Sequence, residues 1–182
     1  YESAIAHFER AIDINPDFSV TYNNLGDLYR VVGEFDKSIE LLKKAREIQP
    51  KAIEIICNLA DVYKACGEYD QARSLYEEAH NMLPSGPVII TNLAILNFLL
   101  GDDKKAATYL KILDDKFIET IKDDKKRDFC IAYKKYLDGL FAINETTKRA
   151  AADDDAEKLY IIGSSVSFAP KGHIVKFGED EL

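Results

Sequence analysis

Apolar and small residues between Phe18 and Val32 recur at three- and four-residue steps: Tyr22, Leu25, Gly26, Leu28 and Tyr29. That spacing sets them on one face of a helix, and Gly33 ends it. Phe35, Ser38, Ile39, Leu42, Ala45 and Ile48 trace a second amphipathic helix, which stops before Pro50 because a proline ring cannot continue it. The unit predicted is a helical hairpin. Thirty-four residues on, the pattern returns: Leu25 as Leu59 and Leu93, Gly26 as Ala60 and Ala94, Gly33 as Gly67 and Gly101. Ala11, Ala45 and Ala79 keep the same step, as do Pro16, Pro50 and Pro84. Agreement at one period marks tandem copies of a single unit, each unable to bury its apolar face alone. Gly26 and Ala45 leave room for helix axes to approach closely, while Tyr22, Tyr29 and Leu42 fill the space beside them.

Taken together, Leu25-Gly26, Tyr29, Gly33, Phe35, Ala45 and Pro50, then Leu59-Ala60, Tyr63, Gly67, Tyr69, Ala72, Ala79 and Pro84, resemble the tetratricopeptide repeat. The resemblance covers a truncated repeat at 1–17 (Ala4, Phe8, Ala11, Pro16) and full repeats at 19–52, 53–86 and 87–120. It implies an all-α fold, a right-handed superhelical α-solenoid of antiparallel helix hairpins. The third full repeat departs from the pattern. Asn97 stands where a Tyr is usual, Asp103 replaces the aromatic, Leu113 the small Ala and Ile118 the Pro, so its second helix is expected to run past the usual stop. Terminal repeats commonly deviate. Phe129, Tyr133, Tyr136, Leu137, Leu140 and Phe141 supply an amphipathic capping helix, giving an array at 1–120, a cap and linker at 121–155, and a tail at 156–182.

In this family the first helix of each hairpin lines the concave surface, so its residues off the packing stripe are the candidate binding groups. Asn24, Asn58 and Asn92 are again thirty-four apart, each one residue before the Leu of the motif. Their amides could hydrogen-bond the main chain of an extended peptide in pairs. The arrangement is similar to the asparagine ladder of O-linked N-acetylglucosamine transferase, which implies a grip on peptide backbone. The competing reading is that these amides bond within or between helices, or face solvent. Adaptors of the family that hold a chaperone's C-terminal carboxylate need a Lys before the first such Asn and further basic residues in the third repeat. Those sites here carry Asn23, Val88 and Asn92, so the carboxylate clamp is missing. The expected groove comprises Asn23, Asn24, Asp27, Arg30, Asn58, Asp61, Lys64 and Asn92. With Asp27, Glu54 and Asp61 beside Arg30 and Lys64, it favours a neutral or basic peptide over an acidic one. The alternative is that these charges form helix-surface pairs.

Composition narrows the function classes. A net charge of -8 lacks the basic footprint that nucleic-acid binding requires. Apolar stretches such as Ala94 to Leu100 fall short of the roughly 18 residues needed for a membrane span. Cys57, Cys66 and Cys130 form no Cys-x-x-Cys pair, and His7, His80 and His173 lie far apart, so neither metal, cofactor nor disulfide framework is expected. The cysteines read as semi-buried core filler in a reducing compartment, which points to a cytoplasmic location. The chain opens on Tyr1 without an initiator Met or signal peptide, and reads as a fragment.

Beyond Asn144 the repeat signal fades. Leu159-Tyr160-Ile161-Ile162 and Ile174-Val175-Lys176-Phe177 are candidate strands of a short extended or β tail. Gly163-Ser164-Ser165 after the first is similar to the nucleophile block of SGNH-type hydrolases, with Ser165 as the counterpart. The block's Asp is missing, however, no downstream Asp-x-x-His follows, and His173 is too slender a base candidate, so no catalytic residue is assigned. The leading function is a non-catalytic scaffold that binds a protein or peptide in the groove. The runner-up is the substrate-recruiting part of a larger glycosyltransferase, sulfotransferase or SGNH-like hydrolase. A third reading is self-association through the open N-terminal repeat.

Overall fold

The computed structural model describes the backbone of residues 1–152, with side chains through residue 143. The two candidate tail strands and Ser165 lie outside the described residues. Among the described residues there are helices and no strands: α1 Glu2–Ile14, α2 Ser19–Val32, α3 Phe35–Ile48, α4 Ile53–Ala65, α5 Tyr69–Met82, α6 Pro87–Leu99, α7 Asp103–Ile112, α8 Asp115–Glu119 and α9 Asp124–Ala152. The chain divides into two compact units, Tyr1–Lys134 and Lys135–Leu182. The first is an α-solenoid in which α1 to α7 each pack on the next, α2 on α3, α4 on α5 and α6 on α7 most extensively. Described residues of the second unit continue α9 to Ala152.

Two chemical signals punctuate every hairpin. Gly33, Gly67 and Gly101 sit at φ +86°, +80° and +77°, a left-handed conformation that side chains rarely adopt. In each case the glycine N–H and the next N–H close the helix end, as when Gly33 donates to the Arg30 carbonyl and Glu34 to that of Tyr29. At the other end, Asn15, Gln49 and Leu83 precede prolines and take extended φ of -140°, -130° and -136°, which ends α1, α3 and α5.

The small positions do what their size allows. A Cβ added to Gly26 would lie 2.7 Å from Leu42 Cγ and 3.3 Å from the Ser38 carbonyl oxygen, so only glycine permits this approach of α2 to α3. Ser38 Oγ donates to the Gly26 carbonyl at 2.7 Å across the same contact. Ala45 clusters with Tyr22 and Ile55, joining α2 and α3 to α4. Leu42, Ile56, Leu59, Tyr76, Ala79 and Leu93 belong to one apolar core that runs from α3 to α6.

The third repeat corrects one expectation. Its second helix does not run on. It ends at Ile112, because Leu113 turns inward to full burial and the Asp114 carboxylate caps a new helix by accepting from the Phe117 N–H at 2.7 Å. Ile118 and Ile121 are buried by that turn. Helix α9 follows and meets α6 within the first unit, where Thr91 Oγ1 donates to Cys130 Sγ at 3.3 Å.

Candidate functional site

The first helices α2, α4 and α6 bring all eight expected groove residues onto hydrogen-bonded chains, though not equivalently. On α2, Asn23 is buried at 4% exposure and Asn24 is exposed. Asn58 Nδ2 on α4 donates to Asn23 Oδ1 at 2.9 Å, a direct side-chain tie between consecutive first helices. Asn23 Nδ2 in turn approaches Asn24 Oδ1 at 3.5 Å, a weak contact that leaves the Asn24 amide available. Asn58 is half-buried, and its carbonyl oxygen has no partner among the described residues.

Asn92 occupies the same register and a different world. It is 1% exposed, donates to the Val88 carbonyl at 3.0 Å and accepts from Lys64 Nζ at 2.6 Å. Both ends of its amide are therefore committed to the fold. The reason lies in its helix: α6 is enclosed on several sides, with Ile89, Ile90, Thr91, Leu93, Ala94, Leu96 and Asn97 buried alongside Asn92. A polar group there requires internal partners.

The charges also pair. Arg30 holds the Asp27 carboxylate at 2.7 Å and Lys64 holds Asp61 at 2.8 Å, each three residues apart on one helix. Tyr76 on α5 completes the second group: its hydroxyl donates to Asp61 Oδ1 at 2.7 Å and its ring lies 5.9 Å from Lys64 Nζ. Burial pushes the Tyr76 hydroxyl well above its ordinary range, reinforced by the Asp61 charge, so it stays a donor. Sequence reasoning missed Tyr76 because its counterparts at the thirty-four-residue step, Leu42 and Leu110, are apolar.

Cysteine chemistry differs by site. Cys57 is half-buried and Cys130 buried, whereas Cys66, at the C-cap of α4, is exposed rather than semi-buried. Burial, with the Asp61 and Glu54 charges, pushes the Cys57 thiol up from 9.0 to about 12. A value raised in the fold contributes stability that is fully present below the unfolded value and is lost as pH rises through the folded one. Thermal unfolding is therefore expected to hold steady up to pH 9.0 and to weaken from there toward about pH 12. The variant Cys57→Ala should shallow that decline, as melting curves across the alkaline range would show. Among the described residues, no group of His, Cys, Asp and Glu could hold a metal, and no helix is long and apolar enough to cross a membrane.

These features have counterparts among known proteins. Models described as tetratricopeptide repeat match residues 17–85 and 1–18. A crystal structure of MamA aligns at TM-score 0.57 with 19% identity over 81% of this chain and 89% of that one. YrrB, described as a TPR protein with an unusual peptide-binding site, aligns at TM-score 0.56 with 23% identity over 86% of this chain and 80% of that one. A MamA structure from AMB-1 aligns at 0.53 with 22% identity over 59% of this chain, which spans only 58% of that protein's length. At these identities the likeness concerns the fold. No curated protein matches the chain.

Proposed function

The chain belongs to the tetratricopeptide repeat family, and on that premise we infer that it is an interaction scaffold whose first-helix face grips an extended, neutral or basic peptide. The observation that carries this reading is the amide chain Asn24–Asn23–Asn58, which spans two repeats and leaves the Asn24 amide and the Asn58 carbonyl oxygen unspent. Those two groups can pair with the N–H and C=O of a peptide main chain without reading its sequence. Asp27 and Asp61 are paired with Arg30 and Lys64 while Glu54 stands exposed beside them, so the face suits a neutral or basic peptide better than an acidic one. A peptide-binding site on YrrB, a protein of similar fold, is in keeping with the reading. On this reading the array spans 1–120, the capping helix and linker 121–155, and the tail 156–182.

The test uses a peptide selected against the full chain by display. At about 0.5–1.5 kcal/mol per hydrogen bond, Asn24→Ala with Asn58→Ala is expected to weaken binding about tenfold. Asn24→Ala alone, which gives up only the weak 3.5 Å contact with Asn23, should weaken it about threefold with little change in melting temperature. Asn92→Ala should do the reverse, lowering the melting temperature by leaving a void at a buried position and removing the Lys64–Asn92 tie between α4 and α6. Calorimetry that finds unaltered affinity in the double variant would overturn the reading.

A further inference from the structure

On the opposite side of the hairpins, clefts open between consecutive second helices, and the thirty-four-residue register makes them comparable. Between α3 and α5, a cleft of about 560 Å³ is floored by Leu59 and Tyr63, and Arg46 at its rim donates from one guanidinium nitrogen to both Glu78 carboxylate oxygens, at 2.7 and 2.8 Å. At the next register, between α5 and α7, the His80 ring packs edge-on against Tyr109, centroids 5.7 Å apart. So one position is strapped by an ion pair and another is plugged by rings.

The position between α1 and α3 is neither. Ile12 stands where Arg46 would, and Lys44, in the place of Glu78, is occupied with Glu47 on its own helix at 3.0 Å. A cleft of about 490 Å³ remains, floored by Tyr22, Leu25 and Tyr29 and rimmed by Glu9, Asp13 and Glu40. Among the described residues, no ion pair engages these three carboxylates; Glu9 receives only a long 3.4 Å hydrogen bond from Tyr29. The chain itself supplies a stand-in ligand: Lys37 at the cleft edge places its ammonium 5.2 Å from the Tyr29 ring centroid, while pairing with Glu34 at 3.6 Å.

We propose that the α1–α3 cleft takes an arginine or lysine side chain of a partner polypeptide. The cation lies over the Tyr29 face, as Lys37 does, and its donors reach the unspent carboxylates of Glu9, Asp13 and Glu40. The aliphatic stem covers Ile12 and Leu41, in the manner of long basic side chains on apolar ground. Charge complementarity selects the occupant: an apolar floor alone would suit any hydrophobic residue, whereas an acidic side chain would meet three like charges. This site is separate from the asparagine face and stands or falls without it.

The probe is a Gly/Ser peptide bearing arginines, compared with its citrulline twin, titrated into the isotopically labelled full chain at low salt. Amide shifts are expected in α1 and α3 around the cleft for the arginine peptide alone. Neutralising the rim with Glu9→Gln, Asp13→Asn and Glu40→Gln should weaken binding about tenfold. Lys37→Met, which removes the internal competitor, should tighten it about two- to fivefold. Asn24→Ala with Asn58→Ala should leave it unchanged. The proposal is overturned if the shifts fall on α4 and α6, or if neutralising Asp115 and Glu119 on α8 weakens binding as much as neutralising the rim.

Discussion

Replacing Leu42 with alanine is expected to lower the stability of the array by about 2–5 kcal/mol. Leu42 is fully buried and belongs to the core shared with Ile56, Leu59 and Tyr76. It also faces Gly26, whose missing Cβ is the space the leucine uses. One side chain thus holds the α2–α3 hairpin closed and ties it to the next repeat. Deleting its branched end removes apolar burial and leaves a void that close-packed helices cannot collapse to fill. In a nearest-neighbour array the damage should be graded: hydrogen exchange should quicken most in α2 and α3 and least in α6 and α7. A loss below about 1 kcal/mol, or a uniform rise in exchange, would show that Leu42 does not couple the hairpins.

Much of the fold was legible because the same packing problem is solved repeatedly. Gly33, Gly67 and Gly101 recur since each hairpin needs a left-handed residue, and Leu25, Leu59 and Leu93 recur since each buries the same seam. Periodicity could not reveal how differently three identical letters are situated. Asn24, Asn58 and Asn92 share a register, but their burial, from exposed through half-buried to buried, follows how far the helix that carries each is enclosed. The early end of α7 escaped for a related reason. Ile118 in place of the stop proline suggested continuation, while the decisive signals were the capping carboxylate of Asp114 and the pull of Leu113, Ile118 and Ile121 into the core. Family substitutions such as Asn97 for Tyr were visible as departures, and only the structure shows what compensates them.

That compensation supports a second large effect. At the register where earlier repeats place Tyr29 and Tyr63 on the first helix, α6 carries Asn97; where they place Leu41 and Leu75 on the second, α7 carries Tyr109. The ring has changed sides. Asn97 is fully buried, its amide nitrogen donates to the Leu93 carbonyl at 2.8 Å, and its carbonyl oxygen has no partner among the described residues. Asn97→Tyr alone should force a second ring against Tyr109 and His80, costing about 1–3 kcal/mol despite removing the unpartnered oxygen. Tyr109→Leu alone should lose the half-buried ring's edge contact with His80, costing about 0.5–1.5 kcal/mol. Combined, the two changes restore the arrangement of the preceding repeats, ring on the first helix and leucine on the second. The double variant should therefore be more stable than the sum of its singles by about 0.5–3 kcal/mol, measured as the coupling energy of a denaturation cycle. Strict additivity would mean that the Asn97 and Tyr109 exchanges are independent accidents of a divergent repeat.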